Sequence, residues 1–393
     1  MSERLFTPRF FIMCAYSFTV FVSVFQLLPT APYHILDLGG STAEAGLFLG
    51  LLAFASAASA PFTGSIGDRL GQRRVLIVVS LALAGFTTSY AVITDHRLML
   101  AVVMPHGLVW SALLSAQGAY MTHTIPPSRR AEGLGYWGLA SVFAVAGAPT
   151  LGFWVYHAGW RTLALELTAL NLLMALVAWR LPDDRPAGHE LAIQHPPHYA
   201  VEWRVLLLSV TMALISFSYG ALTSFSALFA DALRVRPRGL FLTGMAAAVL
   251  VGRLTVGRSI DRVGHRRVLL PCLLAPPAGI LLLALADGFG LFLASALVFG
   301  AGFGLLYPAY TAFVMSHVSP LRRGAAFGAM LAAFDTGIGS GSSVMGWLVH
   351  HTGFRWGFGV VAGLAALALP CFLFAERRLG FHRPPAPAGQ GAR

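Results

Sequence analysis

Twelve times along this chain, an apolar run of bilayer-crossing length is followed by a polar break. The runs lie near 10–32, 43–66, 75–94, 98–124, 133–156 and 160–179, then near 205–230, 239–257, 268–286, 288–317, 325–349 and 356–375. A spanning helix needs about 20 mostly apolar residues. Lipid offers the backbone no hydrogen bonds, so such runs close their own as helices. Composition agrees: hydrophobic residues make up 56% and charged residues 11%, with mean hydropathy +0.71. A soluble domain carries roughly 25% charged residues. The expected fold is an all-α membrane protein with twelve transmembrane helices.

Only one connection is long and hydrophilic. It spans 181–203, holds Asp183, Asp184, Arg185, His189, Glu190, His195 and His198, and divides the runs six plus six. The expected organisation is an N-terminal six-helix bundle over 1–182, a cytoplasmic linker over 183–203 and a C-terminal six-helix bundle over 204–379. A Pro-, Gly- and Ala-rich tail follows over 380–393, and such a composition reads as disordered. The linker histidines are loosely spaced among prolines and read as linker rather than as a metal site.

The net charge of +11 sits in short clusters between apolar runs, and all 27 basic residues are arginine. That is the pattern of membrane topology, not of a surface tracking nucleic acid. With the N-terminus inside, the outer loops hold only Arg97, Arg161, Arg234, Arg236, Arg238 and Arg355. The other loop arginines, among them Arg73, Arg74, Arg129, Arg130, Arg266, Arg267, Arg322 and Arg323, face the cytoplasm. Both termini are therefore expected inside, in a bacterial inner membrane. Cys14, Cys272 and Cys371 are far apart within apolar runs and read as small buried hydrophobes. No leader cleavage is expected, because the first apolar run is long enough to stay in the membrane. Nothing in the chain resembles a nucleotide loop, a metal-ligand cluster or a nucleophile with partners, so neither an enzyme nor a cofactor is expected.

Sliding the chain against itself by 193 residues exposes a duplication. Gly46-Leu47-Phe48-Leu49 falls on Gly239-Leu240-Phe241-Leu242, and Asp68, Arg69, Gly71, Arg73 and Arg74 fall on Asp261, Arg262, Gly264, Arg266 and Arg267. Each copy has an even number of spans, so the copies share one orientation and are related by an axis along the membrane normal. Two halves rocking about a site near the midplane is a transporter design.

The loop after span 2 reads Gly64-Ser-Ile-Gly67-Asp68-Arg69-Leu-Gly71-Gln-Arg73-Arg74, and Gly257 to Arg267 repeats it after span 8. With these residues the chain resembles the major facilitator superfamily over essentially its whole length. The resemblance implies that Gly64, Asp68, Arg69, Gly71, Arg73, Gly257, Asp261, Arg262, Gly264 and Arg266 form conformational-switch loops that latch the halves. Span 5 holds Gly138, Gly147, Pro149 and Gly152. It is similar to a segment of the superfamily's drug and metabolite antiporters, with Ala148 where that segment usually has Gly. The resemblance also implies that spans 1, 4, 7 and 10 line a central cavity.

Helical geometry advances 100° per residue and groups polar side chains into stripes. Tyr16, Ser23 and Gln26 share one arc of span 1, and His106, Trp110 and Gln117 one side of span 4. Span 7 offers Tyr219, and span 10 Phe303, Tyr307 and Tyr310. These are the substrate candidates; the alternative for each is a hydrogen bond between neighbouring helices. Ionisable groups deep in a bilayer are costly and often functional, which makes Asp335, His106 and Glu166 candidates for proton coupling. The expected function is proton-coupled export of a small molecule by a monomer, through alternating access. Nutrient uptake by symport is the alternative, and a transport-dead sensor or scaffold a distant one.

Overall fold

The computed structural model describes residues 5–182, 203–255, 265–316, 318 and 323–379. The helices are α1 (Pro8–Asp37), α2 (Thr42–Leu70), α3 (Gln72–Tyr90), α4 (His96–Thr124), α5 (Arg130–Tyr156) and α6 (Trp160–Trp179). They continue with α7 (Trp203–Ala232), α8 (Leu240–Thr255), α9 (His265–Ala284), α10 (Phe289–Ser316), α11 (Arg323–Ala366) and α12 (Ala368–Leu379). Among the described residues nine helices are long and apolar enough to cross a membrane. Helix α11 is broken at Gly353, whose φ of 80° suits glycine. The part before the break is the eleventh span, and the remainder with α12 is the twelfth. The expected twelve-helix, two-bundle fold is thus present.

Local chemistry sets the helix ends. At the start of α2, Ser41 N–H donates to Glu44 Oε2 at 2.8 Å and Glu44 N–H donates to Ser41 Oγ at 3.2 Å, a reciprocal cap. His96 Nε2 lies 3.2 Å from Glu44 Oε1 and ties the start of α4 to that cap. Between α2 and α3 the chain turns on Gly71, whose φ of 85° is left-handed. Arg73 then donates from its guanidinium to the carbonyl of Trp179, where α6 ends. A cation there complements the helix dipole. The loop that carries Gly71 and Arg73 is therefore partly a helix-capping device inside the N-terminal half. Gly257, Asp261, Arg262 and Gly264 lie outside the described residues, as do the 183–202 connection and the 380–393 tail.

The apolar core falls into four clusters, two in each half. Residues 24–52, 90–103 and 148–167 form one at the end of the molecule that carries loops 38–41 and 157–159. Residues 221–245, 280–299 and 345–365 form its counterpart in the C-terminal half at the same end. Val145 and Tyr219 pack against both clusters, and Ile338 of α11 packs against the N-terminal one, so at this end the halves are joined. The two clusters at the other end, where the arginine-rich loops lie, share no packing residue among those described. Among the described residues, packing shared by the two halves is thus found at the first end, which is the sealed one.

The seal is made by small residues. Gly339 and Gly346 of α11 meet Gly50 and Gly46 of α2 backbone to backbone. Ser342 Oγ donates to the Gly46 carbonyl at 2.7 Å and lies 2.7 Å from Ser224 Oγ of α7. On its other face, α11 sets Gly337 and Gly341 against the backbone of Ala213 and Phe217 of α7. Within a bilayer, helices associate through such close approach rather than through a hydrophobic drive. A methyl group on Gly341 would overlap the Phe217 carbonyl, whereas one on Gly85 would meet open space. Gly341→Ala is expected to lower stability by about 1–3 kcal/mol, read as an earlier thermal melt in detergent, with Gly85→Ala unchanged.

Candidate functional site

Polar and aromatic side chains at the meeting of the two halves define the candidate site. Ser56 of α2 donates to Asp335 Oδ2 of α11 at 2.9 Å. At 1.5 Å rise per residue this bond lies about 20–25 Å below the sealed end. It joins the two halves, and a hydrogen bond to a carboxylate is worth about 1.5–3 kcal/mol. Beside Asp335 runs an aromatic group of the C-terminal half. Tyr219 stacks on Phe303 at 4.7 Å, Phe303 lies 6.4 Å from Phe334, and Phe334 meets Tyr307 at 5.3 Å. All four rings are half-buried. Phe334 and Ser56 were not among the sequence candidates; Phe334 neighbours Asp335 in the chain, and Ser56 carries no local signal.

The α5 segment sits between both halves. Gly152 is where α1 crosses closely, at Gln26. Pro149 and Thr150 meet Gly239 at the start of α8, and Thr243 Oγ1 of α8 donates to the Ala146 carbonyl at 2.7 Å. Further along, Gly138 faces the guanidinium of Arg253 on α8, whose Nε donates to the Gly304 carbonyl at 3.4 Å. A methyl group on Gly147 would meet open space, and the residue is exposed.

At the sealed end, one carboxylate gathers the loop between α7 and α8 and the far end of α1. Tyr33 O–H of α1 donates to Asp231 Oδ2 at 2.9 Å. Arg238 lies 2.9 Å from the same carboxylate, and Arg236 is bonded to it as well. Arg238 also lies over the rings of Tyr33 and Phe153, at 5.0 and 5.8 Å, a cation–π arrangement. Tyr156 O–H donates to Asp37 within the N-terminal half. From the sequence Arg236 and Arg238 are only outer-loop charges, because nothing local tells that they meet Asp231.

Several candidates are not brought to the meeting of the halves. Tyr16 O–H is 2.9 Å from Ser80 Oγ of α3. Ser23 donates to Asn171 of α6 at 3.3 Å, and Gln26 to Glu166 of α6 at 3.1 Å. The polar stripe of α1 thus faces sister helices of its own bundle. His106 is buried, 3.0 Å from the Tyr90 hydroxyl and stacked on Phe86. With Ser23, Trp110 and Asn171 it lines a void of about 10 Å³ inside the N-terminal half, room for about one water. Gln117 accepts from Ser17 at 3.3 Å, and Trp137 Nε1 donates to Ser17 at 2.5 Å. Tyr310 is fully buried and donates to the Leu208 carbonyl at 2.6 Å. The physical reason is common to all: a polar stripe in a spanning helix must avoid lipid, and a neighbouring helix satisfies it as well as a water-filled path. Of the substrate candidates, Tyr219 packs against clusters of both halves, with Phe303 and Tyr307 in the aromatic group that continues from it, and of the proton candidates Asp335 bonds across the halves.

Tyr33→Phe removes the cross-half donor to Asp231 and is expected to open the sealed end. A lost hydrogen bond to a charged group corresponds to about a tenfold to hundredfold shift in population. The check is the labelling rate of a cysteine at Val145→Cys, beneath the seal, in a background lacking Cys14, Cys272 and Cys371. A rate unchanged by Tyr33→Phe would remove the gating role.

The description "Major Facilitator Superfamily" belongs to the family model that matches this chain, over residues 10–258 and 238–392. The chain is 27% identical over 382 residues to an uncharacterized MFS-type transporter, YhhS, of Escherichia coli strain K12, covering 94% of this chain and 93% of that protein. Among solved structures, a variant of the nucleoside transporter NupG superimposes with a TM-score of 0.79 at 18% identity, covering 94% of this chain and all of that one (100%). A bacterial homologue of the human lysosomal transporter Spinster, described as inward-facing and occupied, gives 0.78 at 15% identity, with 99% and 100% covered. The match to the family model across nearly the whole chain, and the doubled six-helix architecture it accompanies, make this protein a member of the Major Facilitator Superfamily of transporters.

Proposed function

We propose that this protein is a proton-coupled exporter of a small neutral or amphipathic molecule, working by alternating access between the bundles 1–182 and 204–379. The observation that carries the reading is the Ser56–Asp335 bond, a titratable group held between the two halves at depth. When ionised, Asp335 accepts from Ser56. When protonated, its negative charge and the strength of that bond are lost, so proton binding changes how tightly the halves hold each other. Any group whose free energy differs between two conformations biases their populations.

On the arginine bias, the sealed end faces the periplasm of a bacterial inner membrane and both termini face the cytoplasm. Joined outside, and with no shared packing inside among the described residues, the halves correspond to an inward-facing state. The likeness to a structure described as inward-facing supports this reading. The rings of Tyr219, Phe303, Tyr307 and Phe334 beside Asp335 suit a molecule with an apolar face and few charges. Export is favoured over uptake by the α5 segment, which is similar in sequence to that of the superfamily's antiporters and sets Gly152 against α1 and Pro149 against the start of α8. Uptake by symport uses the same parts, and the NupG likeness names a nucleoside transporter with this fold.

The test is proteoliposomes of known orientation containing a pH-sensitive dye, challenged with a panel of neutral amphipathic solutes. Wild-type protein is expected to exchange solute for protons. Asp335→Asn is expected to retain solute exchange down a gradient while losing pH-driven accumulation by at least an order of magnitude, roughly the 1.4 kcal/mol that one tenfold step represents. Coupling that survives in Asp335→Asn would assign the acid a packing role, and accumulation opposite to the proton gradient's exchange direction would favour uptake.

A further inference from the structure

A second acid, inside the N-terminal bundle, is arranged in a way that a carboxylate does not explain. Gln26 of α1 is fully buried, and its Nε2 donates to Glu166 Oε1 of α6 at 3.1 Å. The remaining oxygen of each, Gln26 Oε1 and Glu166 Oε2, is buried and takes no hydrogen bond. Both are acceptors, and an unpaired buried acceptor costs about 1–3 kcal/mol. Turning the amide over does not help, because the donor would then leave the carboxylate and an oxygen would face it. What the pair lacks is one hydrogen. A neutral carboxyl group supplies it: Oε1 accepts from the amide N–H, while the O–H on Oε2 is the donor Gln26 Oε1 lacks. A neutral carboxyl thus gives the pair the donor that two buried acceptors lack.

Among the described residues Glu166 makes no ion pair, and its hydrogen bond is the one from Gln26. The titratable groups on the packed helices are engaged elsewhere: Tyr16 with Ser80, Tyr33 with Asp231, and Asp37 with Tyr156. Tyr90 is bonded to His106, His157 to the Phe153 carbonyl, and His34 is stacked on Trp160. The pair also sits at a mechanical junction. Gly152 of α5 crosses α1 at the Gln26 backbone, and α5 continues to Thr243 of α8 in the other half.

We infer that Glu166 is a proton-binding residue of this transporter: a neutral carboxyl paired with Gln26 in the sealed conformation, which loses its proton when α1 and α5 move apart. The proton enters from water, forms the O–H bond on Oε2, and returns to water on release. The sign follows directly. The proton supplies the missing donor in the sealed state, so raising the pH withdraws that support and favours opening of the sealed end. This extends the proton-coupled reading above, yet it is read without substrate and without Asp335.

The experiment is infrared spectroscopy of the full chain in lipid nanodiscs, in an Asp335→Asn background. A protonated-carboxyl C=O band is expected near neutral pH, shifted by deuterium exchange and absent after Glu166→Gln, an isosteric change that keeps an amide-to-amide bond. In the same background, labelling of Val145→Cys is expected to rise severalfold with pH, and the Glu166→Gln variant to lose that dependence. A band that persists in Glu166→Gln, or an unchanged pH profile of labelling, overturns the assignment. Failure of Asp335→Asn to uncouple transport would leave these two readings intact, so the proposals stand or fall separately.

Discussion

Close backbone approach along α11 is the contact on which the conformation depends. Apolar side chains gain nothing by leaving lipid for another helix, so two bundles in a membrane need another reason to adhere. Here α11 presents glycine and serine on two faces at once. One face, Gly337 and Gly341, seats it on α7 within its own bundle; the other, Gly339, Ser342 and Gly346, seats it on α2 across the divide. A residue with a side chain at these positions would hold the backbones apart and weaken both contacts. The same helix carries Asp335 further from the seal, which places a titratable group on the element that closes the molecule.

The charged groups at the sealed end act differently. Asp231 gathers Tyr33, Arg236 and Arg238, and Arg238 spreads over two rings of the facing bundle. These side chains lie near water, where ion pairs are weak, so they hold the closed geometry without making it irreversible. A transporter needs that balance, because a state that is too stable does not exchange. The N-terminal bundle, by contrast, keeps its polar groups internal: Ser23 with Asn171, Gln26 with Glu166, His106 with Tyr90. The two halves descend from one repeated pattern, yet their polar groups are used differently.

The elements were legible because each signal is local. Bilayer length, the Ser41-x-x-Glu44 cap and glycine at a left-handed turn are written in adjacent residues, and the helices begin and end within a few residues of the expected places. The doubling was legible for the same reason, since the match of Asp68-Arg69 with Asp261-Arg262 compares one short stretch with another. The site was legible only in part. Tyr219 and Asp335 reach the meeting of the halves, with Phe303 and Tyr307 beside them, while Tyr16, Ser23, Gln26, His106, Gln117 and Tyr310 turn to partners within a bundle.

What the sequence determined by itself is therefore the solvent, the number and length of the helices, their two-fold repetition and the family to which the motifs point. Each follows from hydropathy and short-range backbone chemistry. Only the tertiary structure decided which end is closed, which neighbour each polar stripe meets, and that Ser56 and Asp335, 279 residues apart, share a hydrogen bond. Periodicity names the face of a helix but not the helix that lies against it. That choice rests on packing between segments far apart in the chain, to which no local pattern gives access.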